Sequence, residues 1–175
     1  ERYLDVYATW VLDPTLLLTA EQYDQVLEAS SDFTPKTPYL FTYILDESPI
    51  KRQIANQVQK KKRLAIYEMS TRESCEKGRR KVSSVYSWLY GIKNASFVVT
   101  DSFHGMVFSI IYNKPFLVIG NEKRGMARFS SLLGMFNLQN RMVSASESNI
   151  EHIIEGLADI NYTEVNALLG NARKC

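Results

Sequence analysis

Four stretches of the chain are apolar almost without interruption: YLFTYILD (39–46), RLAIYEMS (63–70), SFVVTDS (96–102) and KPFLVIGN (114–121). A strand with one wet face alternates apolar and polar residues. These runs, rich in β-branched and aromatic side chains, suit strands covered on both faces, as in a parallel sheet. Between them the period changes. Ile50, Ile54 and Val58 recur at helical spacing, as do Val82, Val85, Leu89 and Ile92, and then Met106, Phe108, Ile110 and Ile111. The segment MVFSIIYNK is apolar nearly all round, which predicts a central, buried helix. Strand alternating with helix predicts an α/β fold, a Rossmann-like parallel sheet with helices on both faces, over residues 39–175.

Beyond Asn121 the pattern predicts a helix over GMARFSSLLGMF, a short apolar stretch at Met142 and Val143, and a last helical region from Asn149 to about Leu169, broken near Asn161. The opening third reads differently. In VLDPTLLLTAEQYDQVLEA, Asp13 and Pro14 signal a turn, and Thr19 with Gln22 three residues on forms a capping box for a helix. Pro35 and Pro38 then punctuate the chain, so residues 1–38 are expected to be a connecting segment that packs on the domain. No internal repeat or low-complexity segment appears.

Composition narrows the class without naming a chemistry. The 175 residues suit one domain, and 45% hydrophobic with 23% charged residues is ordinary for a folded chain. A net charge of +2, from 21 basic and 19 acidic residues, gives no footprint for nucleic acid, so anion binding has to be local. The two cysteines, Cys75 and Cys175, make no disulfide framework, which fits a reducing, cytoplasmic setting. No apolar run is long enough to be a transmembrane segment, and ERYLDVYATW lacks a signal-peptide pattern. The chain begins at Glu1 rather than methionine, which fits a processed or excised segment.

Candidate chemistry gathers where predicted strands end. In VVTDSFHG, Asp101 or Ser102 is a natural N-cap, and His104 falls in the first helical turn at the carboxyl edge of the sheet. Free N–H groups and the positive end of a helix favour an anion there. An imidazole can hydrogen-bond a phosphate or deliver a proton, and Gly105 lets backbone approach a ligand. A capping or packing role for His104 is the alternative. After the next strand, GNEKRGMARF brings Asn121, Lys123, Arg124 and Arg128 to the same edge, and arginine forks suit carboxylate or phosphate. Lys123 reads better as a solvated charge.

Other basic stretches carry less. QKKKR (59–63) closes a helix, where cations complement the dipole and stay hydrated. TRESCEKGRRKVSS (71–84) reads as a polar loop opening toward the same edge, with Arg72, Arg79, Arg80 and Lys81 as weak candidates for an anionic acceptor. There is no GxxxxGK, GxGxxG or GxSxG motif and no zinc-like spacing, and His152 stands alone on a predicted surface helix.

The segment NASFVVTDSFHGMVFSIIYNKPFLVIGN, continued by RGMARFSSLLGMFNLQNR and preceded by WVLDPTLLL and YLFTYILD, resembles the polysaccharide pyruvyl transferases, in particular the bacterial members. The resemblance implies a two-domain architecture similar to GT-B glycosyltransferases. This chain resembles its second, donor-binding half, with the amino-terminal half and a terminal helix missing. It also implies transfer of the enolpyruvyl unit of phosphoenolpyruvate to a sugar hydroxyl, giving a pyruvate ketal in exopolysaccharide biosynthesis. The partners implied are phosphoenolpyruvate and a glycan or lipid-linked saccharide acceptor, with no metal and no cofactor. His104 would be phosphate ligand or general acid; Ser102, Gly105, Asn121, Arg124 and Arg128 would bind substrate, and Arg141 would recur as a family arginine. Two alternatives stay open. One is a nucleotide-sugar-dependent glycosyltransferase half, for which Glu122 is the only nearby ribose-binding carboxylate. The other is a non-catalytic domain that binds a glycan or a partner.

Overall fold

The computed structural model describes residues 11–27, 38–69, 74–76, 79–81, 84–120, 125–144 and 150–174. Its strands are β1 (Tyr39–Tyr43), β2 (Ala65–Glu68), β3 (Ser74–Glu76), β4 (Arg79–Lys81), β5 (Phe97–Thr100), β6 (Phe116–Gly120) and β7 (Met142–Ser144). Its α-helices are α1 (Ala20–Leu27), α2 (Pro49–Lys62), α3 (Val85–Lys93), α4 (Phe103–Ile111), α5 (Met126–Met135), α6 (Ile150–Gly156) and α7 (Tyr162–Ala172). Short 3₁₀ turns span Pro14–Leu17 and Gln139–Arg141.

A five-stranded parallel sheet runs in the order β2-β1-β5-β6-β7, as the continuous apolar strands require. Side chains alternate between its faces. Leu40, Phe97, Val99, Leu117 and Ile119 pack with Ile54 and Val58 of α2 and Ile150 and Ile154 of α6. Phe41, Val98, Phe116 and Val118 pack on the opposite face with α3, α4, α5 and α7, and Leu16 and Leu27 of the opening segment join that cluster. From β1 the chain steps outward through α2 to β2, then returns through α3 to β5 on the other side of β1. The strand order therefore reverses between β1 and β5. Right-handed crossovers in opposite directions put α2 and α3 on opposite faces and open a crevice beyond the carboxyl ends of those two strands.

Local chemistry accounts for the helix limits. Ser48 caps α2 by accepting from Lys51 N, with Pro49 at the first position, and Arg63 closes it in the left-handed region at φ 54°. The predicted capping box before α1 forms in both directions: Thr19 N donates to Gln22 Oε1 at 2.9 Å and Gln22 N to Thr19 Oγ1 at 3.4 Å. Asn161, the predicted break, caps α7.

Two expectations change. RLAIYEMS was expected to be covered on both faces, but β2 is an edge strand with β1 as its neighbour, and Ala65, Ile66 and Glu68 are exposed. Residues 71–84 were expected to be a loop with Val82 on the next helix. They contain the antiparallel hairpin β3–β4, with Cys75 opposite Arg80, and α3 starts only after Ser84, whose hydroxyl accepts from Ser87 N.

Candidate active site at the carboxyl edge of the sheet

The turn from β5 to α4 is held by nearly every residue in it. Thr100 Oγ1 donates to Tyr43 O at 2.6 Å and accepts from Ser102 N at 3.0 Å. Ser102 caps α4 by accepting from Gly105 N, which settles the choice between Asp101 and Ser102. Gly105 is buried, and a Cβ there would stand 2.5 Å from Thr100 Oγ1. The close approach its lack of a side chain permits in this structure is therefore to β5. Ser109 Oγ donates to Gly105 O at 2.8 Å.

Asp101 does different work. Its fully buried carboxylate accepts from Leu45 N at 2.6 Å, from Asp46 N at 3.1 Å and from Lys51 Nζ at 2.6 Å, and Lys51 Nζ also donates to Asp46 O at 2.9 Å. Main-chain pairing between β1 and β5 ends at Tyr43 and Thr100. Beyond that point the Asp101 carboxylate, next to the Thr100 hydroxyl, carries the join onward.

His104 is the exception in this turn. Eight of the nine residues of α4 are buried, and His104 is the ninth, exposed at the sheet edge. Its ring meets Phe103 edge-on, with centroids 5.7 Å apart. The guanidinium of Arg128, from the first turn of α5, lies over the same Phe103 ring at 4.7 Å. Phe103 in turn packs edge-on against the buried Phe129. One aromatic ring therefore contacts both His104 and Arg128.

Asp13 closes this arrangement. It lines a groove of about 480 Å³ with Phe103, Arg128 and Ser131, and Leu12 and Leu132 add apolar walls. Burial alone would raise its carboxyl pKa. Hydrogen bonds from Thr15 and the fields of His104 and Arg128 outweigh that and hold it below the usual carboxylate range. The segment is fixed from two directions: Leu16 is fully buried, and Arg173, just past α7, donates to Leu16 O and Leu18 O at 2.6 Å each.

The structure thus brings Ser102, His104, Gly105 and Arg128 to one edge. Asn121, Lys123 and Arg124 lie outside the described residues, as do Glu122 and Arg72. Arg141 is buried away from solvent and donates to Ala158 O, bracing the chain between α6 and α7; burial lowers its pKa, with Tyr162 and Asp159 acting against that. His152 is exposed, and Lys60 to Lys62 are exposed at the end of α2, as hydrated cations at a helix terminus should be.

Sequence reasoning missed Asp13 and Lys51. The Asp-Pro pair was visible as a turn, but nothing local ties it to His104. Lys51 did leave a signal: with Ile54, Ala55 and Val58 it completes the buried stripe of α2, so a lysine occupies an apolar-face position.

A larger depression, about 930 Å³, lies elsewhere, between α2 and α6. Four of its charges pair among themselves, Arg52 with Glu47 at 3.3 Å and Lys61 with Glu155 at 2.8 Å, and Gln53, Asn56 and Gln57 add amides to the lining. Volume alone does not make it the site, because no side chain there is presented as His104 is. Among the described residues no group of three or more His, Cys, Asp or Glu side chains forms a metal cluster, and no helix is long and apolar enough to cross a membrane.

Comparison with known families matches residues 2–123 to polysaccharide pyruvyl transferase, a span that includes Asp13, Lys51, Asp101, Ser102 and His104 and stops short of Arg128. Nothing among curated proteins or solved structures matches the chain. Because the match covers well over half of its length and includes the turn around His104, the chain belongs to the polysaccharide pyruvyl transferase family.

Proposed function

We propose that the edge formed by the β5–α4 turn and the start of α5 binds phosphoenolpyruvate, and that the chain serves pyruvyl transfer to a sugar hydroxyl of a polysaccharide precursor. The observation that carries this reading is the exposure of His104 alone on an otherwise buried α4, at the amino end of the helix. The first-turn amides and the Arg128 guanidinium suit the phosphate and carboxylate of the donor. Asn121 and Arg124, which follow β6 in sequence, are the remaining proposed contacts.

In this reading the imidazolium of His104 gives its proton to the enol methylene carbon, and positive charge develops on the neighbouring carbon. A sugar hydroxyl adds to that carbon. A second hydroxyl of the same sugar then takes the place of the phosphate, closing the ketal. Two hydroxyl protons are released: one restores His104, and the other leaves with inorganic phosphate. A second half, arranged as in GT-B enzymes, would supply the acceptor side, in the cytoplasm.

The test is an NMR titration of phosphoenolpyruvate into the protein and into His104→Ala, with nucleotide sugars as competitors. Shifts at Ser102 to Gly105 that disappear in the variant are expected. Preferential binding of a nucleotide sugar, or shifts that persist without the imidazole, would refute the assignment.

A further inference from the structure

Lys51 is in the wrong place for stability. It sits in the first turn of α2, where the helix dipole disfavours a cation, and only 6% of it is exposed. Burying an ion pair removes two charges from water, and well-packed apolar residues of similar volume often serve a fold as well or better. The amino end of α2 does not need the lysine either, because Ser48 and Pro49 already complete it. What the pair does supply is geometry. It joins the segment after β1 to the segment after β5 at the point where the strand order reverses, and where main-chain pairing has stopped.

We infer that Lys51 and Asp101 are positioning residues that hold the turn bearing His104, through the bridge from Asp101 to Leu45, Asp46 and Lys51. Neither residue offers a group to solvent, so neither acts on a ligand directly; in its effect on donor binding the inference rests on the reading proposed above. Asp101 immediately precedes the α4 cap Ser102. Anchoring its carboxylate therefore fixes the backbone from which Ser102, Phe103 and His104 depart. The neighbouring Thr100 hydroxyl anchors the same turn to Tyr43 O, so two adjacent side chains tie β5 to β1 from successive positions.

Lys51→Met alone would strand a buried carboxylate, so the decisive variant is Lys51→Met/Asp101→Asn, which removes both charges at nearly constant volume. It is expected to remain folded and to melt near the wild-type temperature. Amide hydrogen exchange should accelerate about tenfold or more at Leu45 and Asp46 and also at Ser102 to Met106, while the amides of Val98, Val118 and Leu132 keep their protection. The ring resonances of His104 should move or broaden, and the dissociation constant for phosphoenolpyruvate read from them should rise about tenfold. Faster exchange confined to Leu45 and Asp46, with the His104 resonances unchanged, would overturn the inference. Should phosphoenolpyruvate bind neither protein, the donor assignment falls, while exchange and ring resonances still decide the positioning role.

Discussion

Replacing Gly105 by alanine tests the packing of the turn most directly. An added Cβ would stand 2.5 Å from Thr100 Oγ1, 3.0 Å from Cγ2 and 3.1 Å from Cβ, all closer than ordinary contact. Thr100 cannot easily yield, because it is fully buried and its hydroxyl bonds both Tyr43 O and Ser102 N. Overpacking of this kind costs about 1–3 kcal/mol, and a displaced buried hydrogen bond adds about 1 kcal/mol. The better helix propensity of alanine returns at most about 1 kcal/mol. The net expectation is about 1–3 kcal/mol of lost stability, or roughly 3–10 °C in melting temperature for a chain of this size. Gly170 in α7 is the internal control. Nothing lies within 4 Å of a Cβ built there, so Gly170→Ala should stabilise by about 0.5–1 kcal/mol. Urea unfolding followed by far-UV circular dichroism measures both. The double change Gly105→Ala/Thr100→Ala removes two of the three crowded atoms and should lose less than the sum of the single changes. A Gly105→Ala protein as stable as the wild type, or a shift of the same sign at both glycines, would refute the packing argument.

Asp13→Asn keeps an acceptor for the Thr15 amide while removing the charge. Asp13 has a lowered folded-state pKa, so its contribution to stability is present above the ordinary carboxylate value and is lost as pH falls through the folded one. Chemical unfolding across acidic pH should therefore show a shallower decline in the variant, and a decline as steep as the wild type's would discard the idea. At the alkaline end, burial foremost raises the phenol pKa of Tyr39, Tyr112 and Tyr162. The stability linked to them is complete below the unfolded phenol value of about 10 and is lost as pH rises above it. Their phenolate absorbance should appear together with loss of the circular dichroism signal; gradual titration in a still-folded protein would contradict the burial argument.

The order of elements was legible because their periods differ: continuous apolar runs at β1, β5 and β6, and helical spacing between them. β2 looked the same as the others, since composition does not reveal that a strand stands at an edge. The hairpin β3–β4 was missed because, Cys75 apart, its residues are polar and too few to show the alternation that signals a half-buried strand. His104 was legible from the strand-to-helix junction in VVTDSFHG, and Arg128 from the junction after it. Asp13 and Lys51 were not, for a physical reason. A carboxylate beside Pro14 and a lysine in a helix rich in cations acquire their meaning only from partners far along the chain, Arg128 for one and Asp101 for the other.

The same long-range ties explain how an exposed histidine is held at the sheet edge through the residues around it. Phe103, beside it in sequence, is packed between Phe129 and the Arg128 guanidinium, so the ring that His104 leans on is itself immobilised by α5. The backbone beneath is anchored through Thr100 and Asp101 to the end of β1. The carboxylate facing Arg128 across the groove is carried by a segment clamped by Arg173 from the far end of the chain. On the proposed reading, Asp13 then has a definite electrostatic effect. It offsets positive charge while the site is empty and repels any anion that enters, the more strongly the more charge that anion carries, so donor binding has to come from the cationic and N–H groups around it.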